Sequence, residues 1–488
     1  MKEFAADPAL ALRCQQIDEE DYRAVNSAGY RNIFMSDRDR ILYCKSFLRL
    51  SGKTQVYAPS KGDHQRTRLT HTLEVSQIAR TIAAALELNQ DLTEAIALGH
   101  DIGHTPFGHA GERMLHEIMS PTNDRDAQTP KSTTIYKLTS SESQQEYEDL
   151  YGFKHNLQSV RATIEDLESR SELHGLDLCN YTLWGIAHHS STKYSKGKVT
   201  TDFVEPLFYQ RYQKYWQRED KTDAWSFEAL VVAEADEIAQ MHHDLVDAIR
   251  TEAISENAVL ELVGMLEDMN LMNPEDKACY HDLKIDTRSK EYLISAVSKI
   301  VVNSLVTKLV VATDSNFKYL RAQYHDAFQM LSMDITKEEN SFLKRAVEYD
   351  PLGKDSVAED VKKNIREFQD KLSKTVLYTY DVQRTDSKGK YIIKNLFEAY
   401  YTNPQQLPDS ALKNLYNALK KEGYQFNITD EYYKIDRSKL RIEIMKAVRE
   451  IRRRRDIGRD ICIMRIICDY IAGMTDKFAI SEYEKLYG

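Results

Sequence analysis

Apolar side chains recur at helical spacing in the segment from Arg66 to Met119. The first stripe there consists of Val75, Ile78, Ala79, Ile82, Ala83 and Leu86. Apolar positions at i, i+3, i+4 and i+7 predict an amphipathic helix with one face against a core. His71 lies one turn before Val75, so the same face turns it inward. The pattern therefore predicts a buried histidine at the start of this helix.

A second helix is predicted to begin at Asp91. Asp91 would be its N-cap, and Glu94, three residues later, forms a weak capping box with it. The buried stripe of this helix is Leu92, Ala95 and Ile96. One further turn along this stripe comes His100. Two inward histidines, His71 and His100, are thus expected at the ends of adjacent helices.

The segment after Asp101 is rich in helix-breaking residues. These are Gly103, Pro106 and Gly108. They predict a tight loop that carries His104 and His109, followed by a helix from Ala110 to Met119. Glu112 lies one turn after His109, and a His/Glu pair at this spacing lets the carboxylate orient the imidazole and raise its pKa.

Helical periodicity continues through most of the chain. Phe227 to Ile249 is predicted as a long helix with a core stripe of Val231, Ala235, Ile238, Leu245 and Ile249. Asp236, Gln240 and Asp244 fall on another face. An acid in the middle of an apolar helix is expensive to bury unless a cation meets it. Asp236 is therefore either a metal ligand or a surface acid.

The second half of the chain reads as successive amphipathic helices from Glu261 onward, which makes the expected fold class all-α. One clear stripe is Ile294, Val297, Val301, Leu305 and Leu309. Asp381 to Lys390 is predicted as a turn-rich link before a helix from Tyr391 to Tyr401. Residues 120–149 are polar and contain two prolines, which predicts an exposed, mobile loop. That loop is either a lid over a site or a passive insertion.

Composition narrows the class of protein. The 488 residues exceed one ordinary core, 42% are hydrophobic and 29% are charged, as in a soluble enzyme. No apolar run long enough to cross a membrane is apparent, and the first residues lack the apolar stretch of a signal peptide, so a cytoplasmic location is expected. The six cysteines form no CxxC pair and are expected to be buried thiols. The net charge of −10 argues against a protein that coats nucleic acid through nonspecific charge attraction.

Histidine density points to a metal site. Six of the 14 histidines lie between His64 and His116, and His100 is followed directly by Asp101. Neutral imidazole nitrogens and carboxylate oxygens suit divalent Mn, Fe, Co, Ni or Zn. His71, His100 and Asp101 make only three ligands. The alternative is that one or two of these histidines are core residues with ordinary hydrogen bonds.

Five ordered motifs resemble the bacterial deoxyguanosinetriphosphate triphosphohydrolase-like proteins of the HD superfamily of metal-dependent phosphohydrolases. They are residues 37–41 (DRDRI), 53–56 (KTQV), 66–71 (RTRLTH), 100–104 (HDIGH) and 469–476 (DYIAGMTD). The resemblance implies an HD-domain helical bundle with additional C-terminal helices. We expect an N-terminal segment at residues 1–30, an HD core at residues 31–260, and a helical region at residues 261–488 that completes the core and forms subunit contacts.

The same resemblance implies a reaction. A transition metal would be held by His71, His100, Asp101 and Asp236, and Mg²⁺ would accompany the triphosphate. Attack at the α-phosphorus of a deoxynucleoside triphosphate would release the deoxynucleoside and inorganic triphosphate. His109, paired with Glu112, would be the general acid, and His104 would hold negative charge on the phosphate.

Substrate contacts are also implied by the resemblance. Gln55 would read the 3′ side of the sugar, although alone it would be taken as a surface residue. Arg68 would contact phosphate, the alternative being a salt bridge to a nearby acid. The remaining candidates are Lys154, His155 and Asn156, which would face the triphosphate, and Gln240 and Asp244. The family commonly has tyrosine at the position of Gln240, which leaves that contact and base selectivity open.

Further partners and rival functions follow from the same comparison. The relatives imply a second deoxynucleoside triphosphate as an allosteric activator and a homo-oligomer, either a tetramer or a hexamer. Arg452 to Arg455 is either a solvated face or a site for a nucleotide or single-stranded nucleic acid. The rival functions are an HD phosphohydrolase for a monophosphate, cyclic nucleotide or guanosine polyphosphate, and a nucleotide or single-strand sensor.

Overall fold

The regular structure of this protein is helical. The computed structural model describes residues 4–14, 31–55, 66–119, 152–165, 175–190, 212–324, 330–335, 337–352, 361–377, 379–427 and 436–488. Within these ranges the only β-type pairings are isolated bridges, such as the one between Thr54 and Thr67. The predicted all-α class is therefore confirmed. The predicted loop at residues 120–149 lies outside the described residues.

Eight helices carry or support the histidine-rich region. They are α1 (Ile33–Leu42), α2 (Lys45–Arg49), α3 (Arg68–Ala85), α4 (Gln90–Gly99), α5 (Gly108–Met119), α6 (His155–Ile164), α7 (Asn180–His188) and α8 (Phe227–Arg250). Helices α3, α4 and α8 pack against one another, and α7 packs on both α4 and α6. The predicted stripes of α3 and α8 are buried in this packing.

The remaining helices follow in two groups. They are α9 (Glu256–Asp268), α10 (Pro274–Ile285), α11 (Lys290–Gln323), α12 (Val361–Leu377), α13 (Tyr380–Thr402), α14 (Asp409–Lys421), α15 (Arg437–Arg454), α16 (Ile457–Ala472) and α17 (Asp476–Tyr487). Helices α9 to α12 join the first hydrophobic core with α3, α4 and α8, whereas α13 to α17 form a second core with α5. The predicted division at residue 260 stays a prediction.

The two cores are joined by buried polar contacts. Arg161 of α6 donates from Nε and Nη2 to Asp469 of α16, at 2.9 and 2.7 Å. Asp476, the first residue of α17, accepts hydrogen bonds from the backbone nitrogens of Thr54 (3.0 Å) and Phe107 (2.9 Å). The acids of the 469–476 motif therefore hold the C-terminal helices against the loops of the histidine-rich region.

Helix α4 begins earlier than the sequence pattern predicts. Its N-cap is Asn89, whose side chain accepts from the backbone nitrogens of Asp91 and Leu92, so the predicted N-cap at Asp91 is wrong. The carboxylate of Asp91 instead accepts a hydrogen bond from Asn32 at 2.8 Å. Both residue types are good N-caps, and the contact across to Asn32 decides between them.

Helix α13 contradicts the predicted turn-rich link at Asp381 to Lys390. The helix runs unbroken from Tyr380 to Thr402 because this stretch contains no proline. Gly389, within the predicted link, serves close packing: a Cβ there would lie 2.7 Å from Cβ of Phe107. The glycine thus lets α13 approach the loop before α5.

Helix α11 is long and apolar enough, by length and composition, to cross a membrane. Its face with Val297, Val301, Leu305 and Leu309 is buried in the first core, and it packs along α8 and α10. Ile294 is half-buried at the edge of this face. This packing is that of a core helix. All six cysteines are free thiols; the expected burial is confirmed for four of them, whereas Cys14 and Cys279 are half-buried.

Candidate active site

The packing of α3, α4 and α8 brings four predicted metal ligands together. His71 stands at the start of α3, His100 and Asp101 follow the end of α4, and Asp236 lies in the middle of α8. Nε2 of His71 is 2.9 Å from Oδ1 of Asp236, and Nε2 of His100 is 3.8 Å from the same oxygen. Donor atoms of His71, His100 and Asp101 all lie within 4.8 Å of one another. The four side chains therefore converge on one small polar space.

The orientation of His100 is that of a ligand. Its Nδ1 donates to the carbonyl of Ala97 at 2.7 Å, so in the neutral ring Nε2 holds a lone pair. This Nε2 is buried and has no hydrogen-bond partner. A buried nitrogen without a partner costs stability unless something binds it.

Arg68 controls the charge of Asp101. Its Nη1 donates to Oδ2 of Asp101 at 2.5 Å, and both side chains are buried. Burial alone would raise the pKa of Asp101, but the charges of Arg68 and His100 hold it well below its ordinary value. The Nε and Nη2 atoms of Arg68 are buried without partners. The predicted alternatives for Arg68 thus coexist: one nitrogen forms the salt bridge, and two others are available for an anion.

Asp236 is partly open, with 22% of its side chain exposed. Burial raises its pKa, but the hydrogen bond with His71 and the charge of His100 outweigh burial and lower it. The carboxylate is thus ionised and partly exposed.

A second cluster surrounds the loop after Asp101. Glu112 accepts from Nδ1 of His109 at 3.2 Å with one oxygen and from Nδ1 of His155 at 3.0 Å with the other. The His104 ring stacks on His155 with centroids 4.7 Å apart. Burial raises the pKa of Glu112, but the two imidazoles hold it well below its ordinary value. His109, half exposed, is the open end of this cluster.

His104 presents an unpaired donor. Its Nδ1 accepts from the backbone nitrogen of Thr105 at 3.0 Å, and burial lowers its pKa well below the ordinary value. The neutral ring therefore carries its proton on Nε2. That atom is buried without a hydrogen-bond partner. An N–H group in this position can donate to an oxygen of a bound anion.

The loop that carries His104 is fixed by close packing and by Lys53. A Cβ at Gly103 would lie 2.1 Å from the backbone nitrogen of Ser159, so only glycine lets the loop reach α6 this closely. The Lys53 ammonium donates to the carbonyls of His104 and Ala472. Helix α5 begins at Gly108, so the placement of His109 in the loop was wrong: it lies in the first turn of the helix.

His189, at the C-terminal end of α7, also lies in this cluster. Its Nδ1 donates to the carbonyl of Ile186 at 2.8 Å, so Nε2 is an acceptor, 3.2 Å from Nε2 of His155. His155 must then donate from both nitrogens. Burial lowers the pKa of His155, but Glu112 outweighs burial and raises it. Donors of Asp101, His155 and His189 could also hold a cation, yet this hydrogen-bond pattern favours an imidazolium.

His188, next in sequence, has a different environment. Its ring stacks on Trp184 with centroids 4.2 Å apart, and burial lowers its pKa to about 4. These contacts are those of a residue with a structural role. The two adjacent histidines thus lie in different environments. The sequence alone contained no signal that distinguishes them.

Gln55 and His109 line the same cavity, which has a volume of about 340 Å³. Its walls also include Thr54, Phe107 and residues of α12 and α13. A larger cavity of about 760 Å³ lies between α2, α14 and α16, and none of the predicted site residues lines it. Of these two cavities, the smaller one therefore adjoins His109, the open end of the Glu112 cluster.

The other predicted substrate contacts are spread more widely. Lys154 is the N-cap of α6; burial and then the charge of Lys154 lower the pKa of His116 to about 4. Asn156 donates to the carbonyls of Ala187 (2.7 Å) and Ser190 (3.2 Å), which braces the end of α7. Gln240 is half-buried on α8. The roles predicted for these three residues stay predictions.

Asp244 has the character of a site residue. It is buried, and its Oδ1 has no hydrogen-bond partner. Burial and the nearby Asp247 raise its pKa to about 7. Such a carboxyl can accept from or donate to a hydroxyl group of a ligand.

Glu74 forms a third cluster that the sequence analysis missed. Its two carboxylate oxygens hold His242 and His243 of α8, the latter through Nε2 at 2.6 Å. Nδ1 of His243 is 3.1 Å from Nδ1 of His71. Glu74 lies three residues after His71, and this i, i+3 spacing was the available signal.

The arginine run near the C-terminus is partly structural. Arg452 lies over the ring of Tyr401 at 4.2 Å and donates to the carbonyl of the same residue. Arg453, Arg454 and Arg455 are exposed, and Arg454 pairs with Glu450 at 2.6 Å. A nucleic-acid contact at this run stays a prediction.

Known proteins are similar to this chain over nearly its whole length. The deoxyguanosinetriphosphate triphosphohydrolase-like protein of Roseobacter denitrificans is 30% identical over 483 residues, which cover 99% of this chain and 96% of the relative. The chain belongs to this family. The family protein of Geobacter metallireducens is 31% identical over 459 residues, covering 94% and 89%, and that of Rickettsia rickettsii is 31% identical over 458 residues, covering 94% and 92%. The resemblance predicted from five motifs is thereby confirmed.

Family models divide this triphosphohydrolase-like chain into two parts. The HD domain matches residues 68–241, and the phosphohydrolase-associated domain matches residues 356–430 and 443–485. The first match contains the His71 and Glu112 clusters, and the second contains most of the second core. The chain is therefore an HD-type phosphohydrolase, a class that depends on metal.

Proposed function

We propose that this protein hydrolyses deoxynucleoside triphosphates to the deoxynucleoside and inorganic triphosphate, and so controls deoxynucleotide pools. The observation that supports this most is the shared position of Asp101. Its Oδ2 is 3.7 Å from Nε2 of His100, and its Oδ1 is 3.9 Å from Nε2 of His155. One carboxylate thus joins the set of metal ligands to the cluster that contains the general acid.

The residues present fit a transition metal. His71, His100, Asp101 and Asp236 offer two nitrogens and two oxygens, a set suited to Mn, Fe, Co, Ni or Zn. The unpartnered Nε2 of His100 is the atom that such an ion would satisfy. A bound divalent ion would lower the pKa of a water molecule and polarise a phosphoryl oxygen. Mg²⁺ is proposed to accompany the triphosphate.

Protein groups then bind and orient the triphosphate. The free nitrogens of Arg68 and the Nε2–H of His104 face the phosphate that reacts. The imidazolium of His155 adds positive charge beside them. Gln55 and Asp244 supply an amide and a carboxyl for the sugar hydroxyl. These local donors can stabilise the negative charge of the triphosphate, although the protein as a whole carries a net negative charge.

His109 is the proposed general acid. Water bonds to the α-phosphorus, and the bond from this phosphorus to the 5′ oxygen breaks. The 5′ oxygen must gain a proton as it leaves. His109 has Nδ1 held by Glu112, which leaves Nε2 directed away from the carboxylate and half exposed toward the cavity. The acid is thus oriented by a carboxylate and open to the substrate.

Product analysis tests the proposal. The full-length protein with Mn²⁺ and Mg²⁺ is incubated with each of the four deoxynucleoside triphosphates, singly and mixed, and the products are separated by ion-pair chromatography. We expect equal amounts of deoxynucleoside and inorganic triphosphate. His109→Ala should lower kcat about 10²- to 10⁴-fold because it removes the general acid. Mixtures that turn over faster than single substrates would support the predicted activator.

A matched control is His281→Ala, since His281 is an exposed histidine on α10. It should keep the activity of the unchanged protein. Release of mono- or diphosphate would contradict the proposal and favour another nucleotide substrate for the same site. No turnover with any mixture would favour a sensor. The predicted tetramer or hexamer is read from the mass of the same preparation in solution.

A further inference from the structure

Glu74 holds two imidazoles of α8 from its place on α3. One carboxylate oxygen contacts Nδ1 of His242, and the other lies 2.6 Å from Nε2 of His243. Nη1 of Arg66 also donates to this second oxygen, at 2.7 Å. A carboxylate paired with a guanidinium accepts hydrogen bonds and does not donate them. His243 therefore carries a proton on Nε2.

The next contact in this chain is between two imidazoles. Nδ1 of His243 is 3.1 Å from Nδ1 of His71, so one of the two nitrogens must donate. Nε2 of His71 faces the proposed metal ligands, 2.9 Å from Asp236. A nitrogen that binds a metal offers its lone pair, so the proton of His71 lies on Nδ1. His71 then donates to His243, and His243 donates to Glu74, with each proton used once.

We propose that Glu74 and His243 form a hydrogen-bonded relay that fixes the tautomer of His71 for metal binding. The proposal rests on the metal ligands assigned under the proposed function. A ligand histidine usually donates its second N–H directly to a carboxylate or carbonyl, as His100 does to Ala97. Here a second imidazole stands between the ligand and the carboxylate. His243 and Glu74 are positioning residues, since neither belongs to the proposed ligand set.

The relay opposes a competing arrangement of protons. If Nδ1 of His71 lost its acceptor, the tautomer with a proton on Nε2 could donate to Asp236 across their 2.9 Å contact. That hydrogen bond would consume two ligand atoms at once. Outer partners of metal-binding histidines typically contribute about 10- to 100-fold in affinity. Loss of His243 should therefore weaken metal binding by about this factor.

The donors of Glu74, His242 and His243 lie close enough to hold a cation themselves. Both carboxylate oxygens are, however, already at hydrogen-bond distance from an imidazole nitrogen. A cation would have to displace these protons and the guanidinium of Arg66. The hydrogen-bonded relay uses the contacts as they stand, so it is the better account.

Metal affinity of the full-length apoprotein tests the relay. Co²⁺ is titrated into protein freed of metal by a chelator, and binding is followed by visible absorption. His243→Phe keeps a flat ring but has no acceptor, so the Co²⁺ dissociation constant should rise about 10- to 100-fold. His243→Asn keeps an acceptor oxygen near the position of Nδ1 and should recover most of the affinity. A purely structural role of His243 would not produce this recovery.

His242→Phe is the matched control. His242 is buried on the same helix and held by the same carboxylate, but Ser298 lies beyond it instead of His71. The affinity of the His242→Phe protein for Co²⁺ should stay close to that of the unchanged protein. Equal losses in His242→Phe and His243→Phe would overturn the relay, as would unchanged affinity in His243→Phe. Thermal melts of the apoproteins verify that each variant is folded.

Two further variants separate the possible failures. Asp236→Asn should weaken Co²⁺ binding; if it does not, the proposed ligand set is wrong and the relay fails with it. If Asp236→Asn weakens binding but His243→Phe does not, only the relay is wrong. Should His243→Phe fail to fold, Glu74→Gln decides, because an amide no longer fixes the proton on His243. A rise in the dissociation constant would support the relay, and an unchanged value would overturn it.

Discussion

Two glutamates of this enzyme, Glu74 and Glu112, make similar contacts with histidines, but the two clusters that they form differ in their surroundings. Glu74 and Glu112 each hold two imidazoles, one per carboxylate oxygen. The exposure of the carboxylate does not explain this difference, because Glu74, whose imidazoles are the more enclosed, is itself 24% exposed and Glu112 only 12%. The difference lies in the imidazoles. His243 is fully buried against His71, whereas His109 is 51% exposed and faces a cavity.

This difference decides what each cluster can transmit. Burial lowers the pKa of His243 to about 3, so its ring stays neutral and passes only an orientation to His71. In the Glu112 cluster the pKa of His155 is raised, and His109 can exchange a proton with a ligand in the cavity. We therefore interpret a carboxylate between two imidazoles as a positioning device where the imidazoles are enclosed, and as a proton-transfer device where one imidazole is open to a ligand.

The largest expected effect that sharpens this comparison comes from Glu112→Gln. The substitution removes the negative charge that orients His109 and His155, so kcat should fall about 10²- to 10³-fold. Co²⁺ affinity should not change, because Glu112 contacts no proposed ligand of the metal. Glu74→Gln should do the reverse, with weaker Co²⁺ binding and a kcat that recovers at saturating metal. The measurements are kcat at saturating Co²⁺ and the Co²⁺ titration.

Loss of metal affinity in Glu112→Gln would break the comparison. It would mean that His104, Glu112 and His155, whose donor atoms lie within 4.8 Å of one another, hold a second ion. The exposed acid Glu252, paired with Lys290 on the surface, gives a neutral control when changed to glutamine.

Helical periodicity predicted the parts of this picture that depend on one helix at a time. The stripe through Val75 and Ile82 correctly turned His71 inward, and the stripe of α4 did the same for His100. The i, i+3 spacing of His109 and Glu112 predicted their contact. Errors arose where a contact with another segment matters: Asn89 caps α4 because Asp91 is held by Asn32, and Gly389 lies within α13, where it makes room for Phe107.

The side of the site that periodicity missed is made of contacts between helices. The roles of His189 and His243 depend on which residue of another helix faces them, namely His155 and His71. Neither contact leaves a signal in the spacing along the chain. His188 and His189 are identical in type and adjacent, and only the stacking on Trp184 marks His188 as structural.

The pH dependence of kcat provides a smaller test of the open cluster. Burial lowers the pKa of His155, but Glu112 outweighs burial and raises it. The imidazolium therefore persists to higher pH than that of an ordinary histidine. Catalysis that needs this proton declines as pH rises through the raised pKa. In Glu112→Gln the alkaline decline should therefore begin at lower pH. The measurement is kcat between about pH 5 and about pH 9 at saturating Co²⁺. If the alkaline decline of kcat in Glu112→Gln begins at the same pH as in the unchanged protein, His155 does not belong to the proton-transfer cluster.

The smallest expected effect separates His189 from His188. Nε2 of His189 accepts a hydrogen bond from His155, so His189→Leu leaves a buried N–H of the imidazolium without an acceptor. An unmade bond of this kind costs about 1–3 kcal/mol, and we expect kcat to fall about tenfold. His188→Leu removes the stacking on Trp184 and should lower the melting temperature while kcat is kept. The two residues are adjacent at the same helix end and of the same type; they differ in what the ring faces and in burial, since His188 is half-buried and His189 is buried. Equal kcat losses would show that the end of α7 acts through packing, and the Glu112 cluster would then end at His155.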